Sequence, residues 1–233
     1  PHSGQIPPFM VRREKVDFVI VGHPDSPESY NLVNGKVNAA LDKGMIPIVI
    51  VYDTLEQRRR GKTTEILVEQ LSAALQDIGR EQAQQVVIVY LAWWVLELEE
   101  SLQEAMPPEE VQSLFLELRS WLAQPAHYGA DVAQEMYLLY GKNVHAGNIG
   151  GYIEQPDIDG VFVSGAAVPV DSAASVVLEA QRHVSVKTKR PLVIFDLKMS
   201  EQIGCIMDYY GQLQKNIRAA DSVDVVVCPA YLD

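Results

Sequence analysis

Several titratable side chains stand directly behind apolar runs. His23 and Asp25 follow Val19-Ile20-Val21-Gly22, Asp53 follows the run ending at Tyr52, and Lys142 and Asn143 follow Tyr140-Gly141. Asp196 and Lys198 close a run that opens at Pro191. Alternate residues of a strand share a face, so Asp196 and Lys198 are expected to point the same way and pair. An imidazole beside carboxylates offers acid–base chemistry, built around His23 with Asp196 or Asp25. Lys142 offers an anion site. Plainer readings stand beside these: a pocket histidine without work, a solvated lysine, and loop acids or helix caps at Asp25 and Asp53.

The segment 86–101, VVIVYLAWWVLELEES, carries a different signal. It reads as a buried strand running into a lid-like segment. Leu91 stands where that strand ends, and a leucine takes no proton. The acids Glu97, Glu99 and Glu100 come several residues later, too far from the strand end to place Glu97 as a base.

Whatever these residues do, the elements around them must hold them. Runs rich in Val and Ile occur at Val16–Gly22, Ile46–Tyr52, Val86–Trp94, Glu135–Gly141, Asp159–Ser164, Pro191–Leu197 and Val223–Cys228. They lack alternation, as expected of parallel strands buried on both faces. Amphipathic stretches at Ser29–Lys43, Thr63–Ile78, Pro108–Ala123, Ser172–His183 and Ser200–Ala219 separate them. Repeated strand–helix alternation predicts one α/β domain, residues 1–233, with a parallel sheet. On this pattern alone a doubly wound sheet and a barrel are both open.

Composition excludes several classes. With 233 residues the chain is long enough to bury a core unaided. A net charge of −12 argues against nucleic acid and anionic membrane surfaces. The two cysteines form no CxxC pair and suit a reducing, cytoplasmic setting. No GxGxxG follows the first run, and Gly61-Lys62-Thr63 lacks the upstream glycine of a phosphate loop. No cofactor and no metal site are expected, and no apolar run approaches the roughly 18 residues of a membrane span.

Several segments together resemble the triosephosphate isomerase family. Ser3–Pro8 resembles TGEIS, Val19–His23 resembles VILGHS, and Thr54–Thr63 resembles ETLEER…GKT. Tyr140-Gly141 matches the start of YGGS, Gln155–Gly160 reads QPDIDG, and Arg190–Lys198 resembles RPLVxxNWK. The order is rotated: segments like the family's first two strands come last, and nothing resembles its third. The resemblance implies a TIM (β/α)8-type barrel, circularly permuted, with the third strand not identifiable. Three explanations are open for that strand: a segment outside this sequence, one supplied by another chain, or a rebuilt barrel.

By the same resemblance His23 takes the position of the electrophilic histidine and Lys198 that of the lysine. Leu91 takes that of the catalytic glutamate. Lys142-Asn143 replaces part of YGGS, and Ser164-Gly165 keeps only one glycine of the eighth-strand motif. Asn143, Ser164, Gly165 and Asp196 are therefore the candidate ligand-binding residues. The implied protein is either a barrel inactive as an isomerase (a decayed relative or an engineered derivative) or an enzyme with residual or new chemistry around His23. Its implied partner is a small molecule at the barrel mouth. The family's usual dimer, made through the loop after the third strand, is not expected.

Overall fold

The structure is a computed structural model, and it describes residues 6–164, 169–184, 189–198 and 206–229. The strands are β1 (Phe18–Val21), β2 (Ile46–Tyr52), β3 (Val87–Leu91), β4 (Tyr137–Gly141), β5 (Gly160–Ser164), β6 (Leu192–Lys198) and β7 (Asp224–Pro229). Each of the seven expected runs forms a strand. They pair in parallel and in chain order. β1 and β7 lie beside each other without a hydrogen-bonded ladder, so the described sheet is a nearly closed barrel.

The helices are α1 (Pro8–Arg13), α2 (Tyr30–Leu41), α3 (Leu55–Arg59), α4 (Thr63–Ala74), α5 (Arg80–Ala83), α6 (Pro108–Leu122), α7 (Gly129–Glu135), α8 (Ile149–Ile153), α9 (Val170–Arg182) and α10 (Ile206–Asn216). Local chemistry starts several of them. Ser29 accepts from the Leu32 amide at α2, and Thr54 with Gln57 forms a capping box at α3. At α6, Pro108 opens the first turn and Glu109 and Glu110 sit at the positive dipole end.

Strand side chains divide between two cores. Ile48, Ile50, Val87, Val89, Leu91, Leu139, Phe162 and Ile194 fill the barrel interior. Their neighbours, including Val49, Val51, Ile88, Tyr90, Leu138 and Val193, pack outward with the helices. Burial of both faces explains why the strand sequences show no alternation.

Beneath the barrel, charges are tied into the core. Arg119 of α6 reaches Asp157 Oδ1 at 2.9 Å and Asp159 Oδ2 at 2.7 Å. It also donates to the carbonyls of Ala133 and Met136. Asp159 accepts from the Leu138 amide and pairs with Lys189 at 2.9 Å. One network thus fastens α6 and α7 to the start of β4 and β5.

Arg119 and Asp159 are only 6% and 4% exposed, so deleting Arg119 leaves buried Asp159 with Lys189 alone and takes away the ion-pair partner of Asp157. We expect Arg119→Ala to lose about 3–5 kcal/mol in chemical denaturation. A loss below about 1 kcal/mol contradicts this assignment.

Candidate functional site

Because the sheet is parallel, its register builds the site. Tyr52 aligns with Leu91, Leu91 with Gly141, Gly141 with Phe162, Ser164 with Asp196, and Asp196 with Cys228. The strand ends therefore form one rim, with His23 just beyond β1 and Lys142 just beyond β4. Gly22 makes the turn at φ 79°, and a Cβ there would meet the Ile50 carbonyl oxygen at 3.2 Å.

His23 is held as a neutral donor. The Asp25 amide donates to its Nδ1 at 3.1 Å, so the ring proton sits on Nε2. That Nε2 is buried and has no hydrogen-bond partner among the described residues. Burial, followed by the nearby Lys198, pushes the His23 pKa down to about 4 against the opposing charge of Asp25. Close approach of His23 to the Asp25 carboxylate, at 3.5 Å, is thus no ion pair near neutrality.

Lys198 pairs with Asp25, Nζ to Oδ2 at 2.5 Å, and not with Asp196 as expected. The reason is local backbone. The β6–β7 register shifts between Asp196 and Lys198, and Lys198 is left-handed at φ 46°. Strict alternation fails there, and the side chain reaches across to the β1 rim. Asp196 remains buried, accepts a weak bond from the Lys198 amide at 3.4 Å, and has its pKa raised by burial. Cys228 alongside is pushed up to about 12 by burial and by Asp196, so its thiol stays protonated.

On the opposite side of the rim, Leu91 is 1% exposed and belongs to the barrel interior. A Cβ on Gly141 would meet Leu91 Cδ1 at 3.0 Å. Trp93 stands edge-on to His23, with ring centroids 6.0 Å apart and planes at 87°. Lys142 Nζ lies 6.0 Å from the centre of the same indole. Among the described residues Ser164 ends β5 half-buried at the rim. Asn143 gives its side-chain amide to the Gln103 carbonyl at 2.5 Å. Gly165 lies outside the described residues.

The predicted strand 86–94 is shorter than expected: β3 stops at Leu91, and Trp93–Glu97 and Glu100–Leu102 form two 3₁₀ turns. A network not anticipated from the sequence anchors their start. Asp53, fully buried, accepts from Thr63 Oγ1 at 2.6 Å and from Tyr90 Oη at 2.8 Å. Tyr90 in turn accepts from Trp94 Nε1 at 3.1 Å. Glu97 accepts from the Leu55 amide, and the Arg58 guanidinium lies 4.4 Å over the Trp94 ring. At the far end the Met106 amide donates to Tyr140 Oη, and Tyr152 Oη donates to the Met106 carbonyl. A cleft of about 700 Å³ lies beside this end, lined in part by Gln103, Met106, Asn143, His145 and Tyr152.

A parallel α/β barrel with its polar groups on the carboxyl-end rim is the architecture these features define. The sequence profile of the family described as "Triosephosphate isomerase" matches residues 1–180. A triosephosphate isomerase of Fusobacterium nucleatum is 33% identical over 180 residues, covering 76% of this chain and 69% of that protein. One from Roseiflexus sp. is 35% identical over 179 residues, covering 75% and 68%. One from Caldanaerobacter subterraneus is 31% identical, covering 76% and 70%. The chain belongs to the triosephosphate isomerase family, and its fold is an α/β barrel of the TIM type. Among the described residues no helix is long and apolar enough to cross a membrane.

With the folded-state pKa of His23 near 4 and the ordinary value at 6.5, the unfolded chain binds the proton more readily between those limits. Stability therefore rises with pH across that window and falls on acidification. In an NMR titration the His23 ring should show no midpoint between pH 5 and 8. A midpoint near 6.5 contradicts the neutral assignment.

Proposed function

We propose that this chain is a triosephosphate isomerase-like barrel inactive as an isomerase, with a mouth suited to a small molecule. The observation that carries the reading is Leu91, an apolar residue at the end of β3 where the family resemblance sets the general base. Loss of a placed base alone costs about 100-fold to 10,000-fold in rate. Two further features support the reading. Lys142 replaces a glycine of the phosphate-binding loop, and the segment after β3 carries Glu97, Glu99 and Glu100, which repel a phosphate.

His23 and Lys198 remain at the rim. Among the described residues the neutral Nε2–H has no partner, and Lys198 is paired with Asp25. Asp53, just past the end of β2, is a carboxylate with a raised pKa, but it is fully buried and accepts from Thr63 and Tyr90. Asp196 is another, but it is buried at β6 on the other side of the rim. The alternative reading, acid–base chemistry around His23 with Asp25 or Asp196, rests on this proximity.

We also propose that the chain is circularly permuted and cytoplasmic and does not form the family-type dimer. The family profile ends at residue 180, yet β6 and β7 continue the same sheet beyond it, as a rotated order requires.

Incubated with glyceraldehyde 3-phosphate, the pure protein is expected to give no turnover above the buffer rate. Enzyme-like turnover that disappears in His23→Ala sinks the proposal and favours the alternative.

A further inference from the structure

Lys142 is an anomaly that the lost isomerase chemistry does not explain. Its backbone sits at φ 122°, a path that a lysine adopts only under strain, and Asn143 follows in the left-handed region at φ 53°. Its family counterpart by resemblance is a glycine, which would take this path freely. The strain sets a long side chain into the mouth, half-buried against the Trp93 ring. Unlike Lys198, Lys142 makes no ion pair among the described residues. The charged and titratable groups acting on it are Lys198 and Asp25, and it acts in turn on His23.

We propose that Lys142 is the amine nucleophile of the barrel mouth, placed to form a Schiff base with a small, largely apolar aldehyde or ketone. The carbonyl oxygen of that ligand accepts from His23 Nε2. This inference rests on the reading that the mouth no longer serves triose phosphates.

Three observations converge on it. An amine held in partial burial beside a second cation is the setting in which lysines become nucleophilic near neutrality. Burial and Lys198 both lower the Lys142 pKa, with Asp25 opposing. His23 supplies a buried hydrogen-bond donor with no partner among the described residues, a group whose cost a carbonyl oxygen would offset. Leu91 and Trp93 give the mouth an apolar wall that favours an apolar ligand body over a phosphate. Lys198 is the weaker candidate, because its amine is already engaged by the Asp25 carboxylate.

The condensation balances without a redox partner. The Lys142 nitrogen lone pair forms a bond to the carbonyl carbon, and the oxygen takes up a proton. The carbinolamine then loses that oxygen as water, with one nitrogen-bound hydrogen, leaving the C=N bond. Reversal by water releases the ligand.

The test is trapping. The full chain is incubated with propanal and sodium cyanoborohydride near pH 7, and propylated lysines are located by peptide mass mapping. Lys142 is expected to be modified several-fold faster than exposed Lys15 and Lys43, because partial burial beside Lys198 favours its free amine. His23→Ala should slow Lys142 alone, and Lys142→Arg should remove the fast adduct while leaving the exposed lysines unchanged. Modification of Lys142 no faster than Lys15, or a fast adduct that persists in Lys142→Arg, overturns the proposal. Isomerase turnover assayed on the same preparation fails independently: its appearance defeats the functional reading, whereas the trapping ratio judges Lys142.

Discussion

Every strand of this barrel runs the same way, and that single constraint assembles the site. A parallel ladder aligns strand ends, so residues more than a hundred positions apart in the chain share one rim. Lys198 reaches Asp25 across 173 residues of sequence because β6 and β1 deliver their carboxyl ends to the same mouth. The opposite end is closed by Arg119, Asp157, Asp159 and Lys189, whose buried charges fix the helices to the strand starts. Stability is concentrated at the floor, and the rim is left for chemistry.

At that rim His23, Leu91 and Lys142 differ in what they need. His23 stays neutral because burial and two lysines disfavour its proton, and a backbone amide fixes its tautomer. Those conditions survive with or without a base at position 91. Leu91 belongs to the barrel interior and packs against Gly141, a core position in which an apolar side chain is the more stable occupant. Lys142 shows the opposite behaviour: its left-handed backbone lowers stability, and a glycine would take the same path without strain.

Much of the fold was legible in the sequence because strands buried on both faces must be Val- and Ile-rich, and all seven runs behave so. Their ends were less legible. The run 86–94 continues apolar past Leu91, yet Ala92 leaves the extended path and Trp93 enters a 3₁₀ turn. The helices α1, α3, α5, α7 and α8 are too short for a 3.6-residue period to register. At the site, His23 and Asp25 were visible as neighbours. Asp53, Tyr90 and Trp94 were not visible as a network, because Asp53 and Tyr90 stand 37 residues apart and meet only through the β2–β3 register. The Asp196–Lys198 pairing failed as an expectation because a bulge breaks the alternation on which it rested.

The account turns on whether any group at this rim removes a carbon-bound proton from a triose phosphate. Deuterium incorporation into dihydroxyacetone phosphate in D2O, followed by proton NMR, reads that step directly and does not depend on product release. The account predicts incorporation at the buffer rate, unchanged by protein concentration. Incorporation that scales with protein and vanishes in His23→Ala would contradict it.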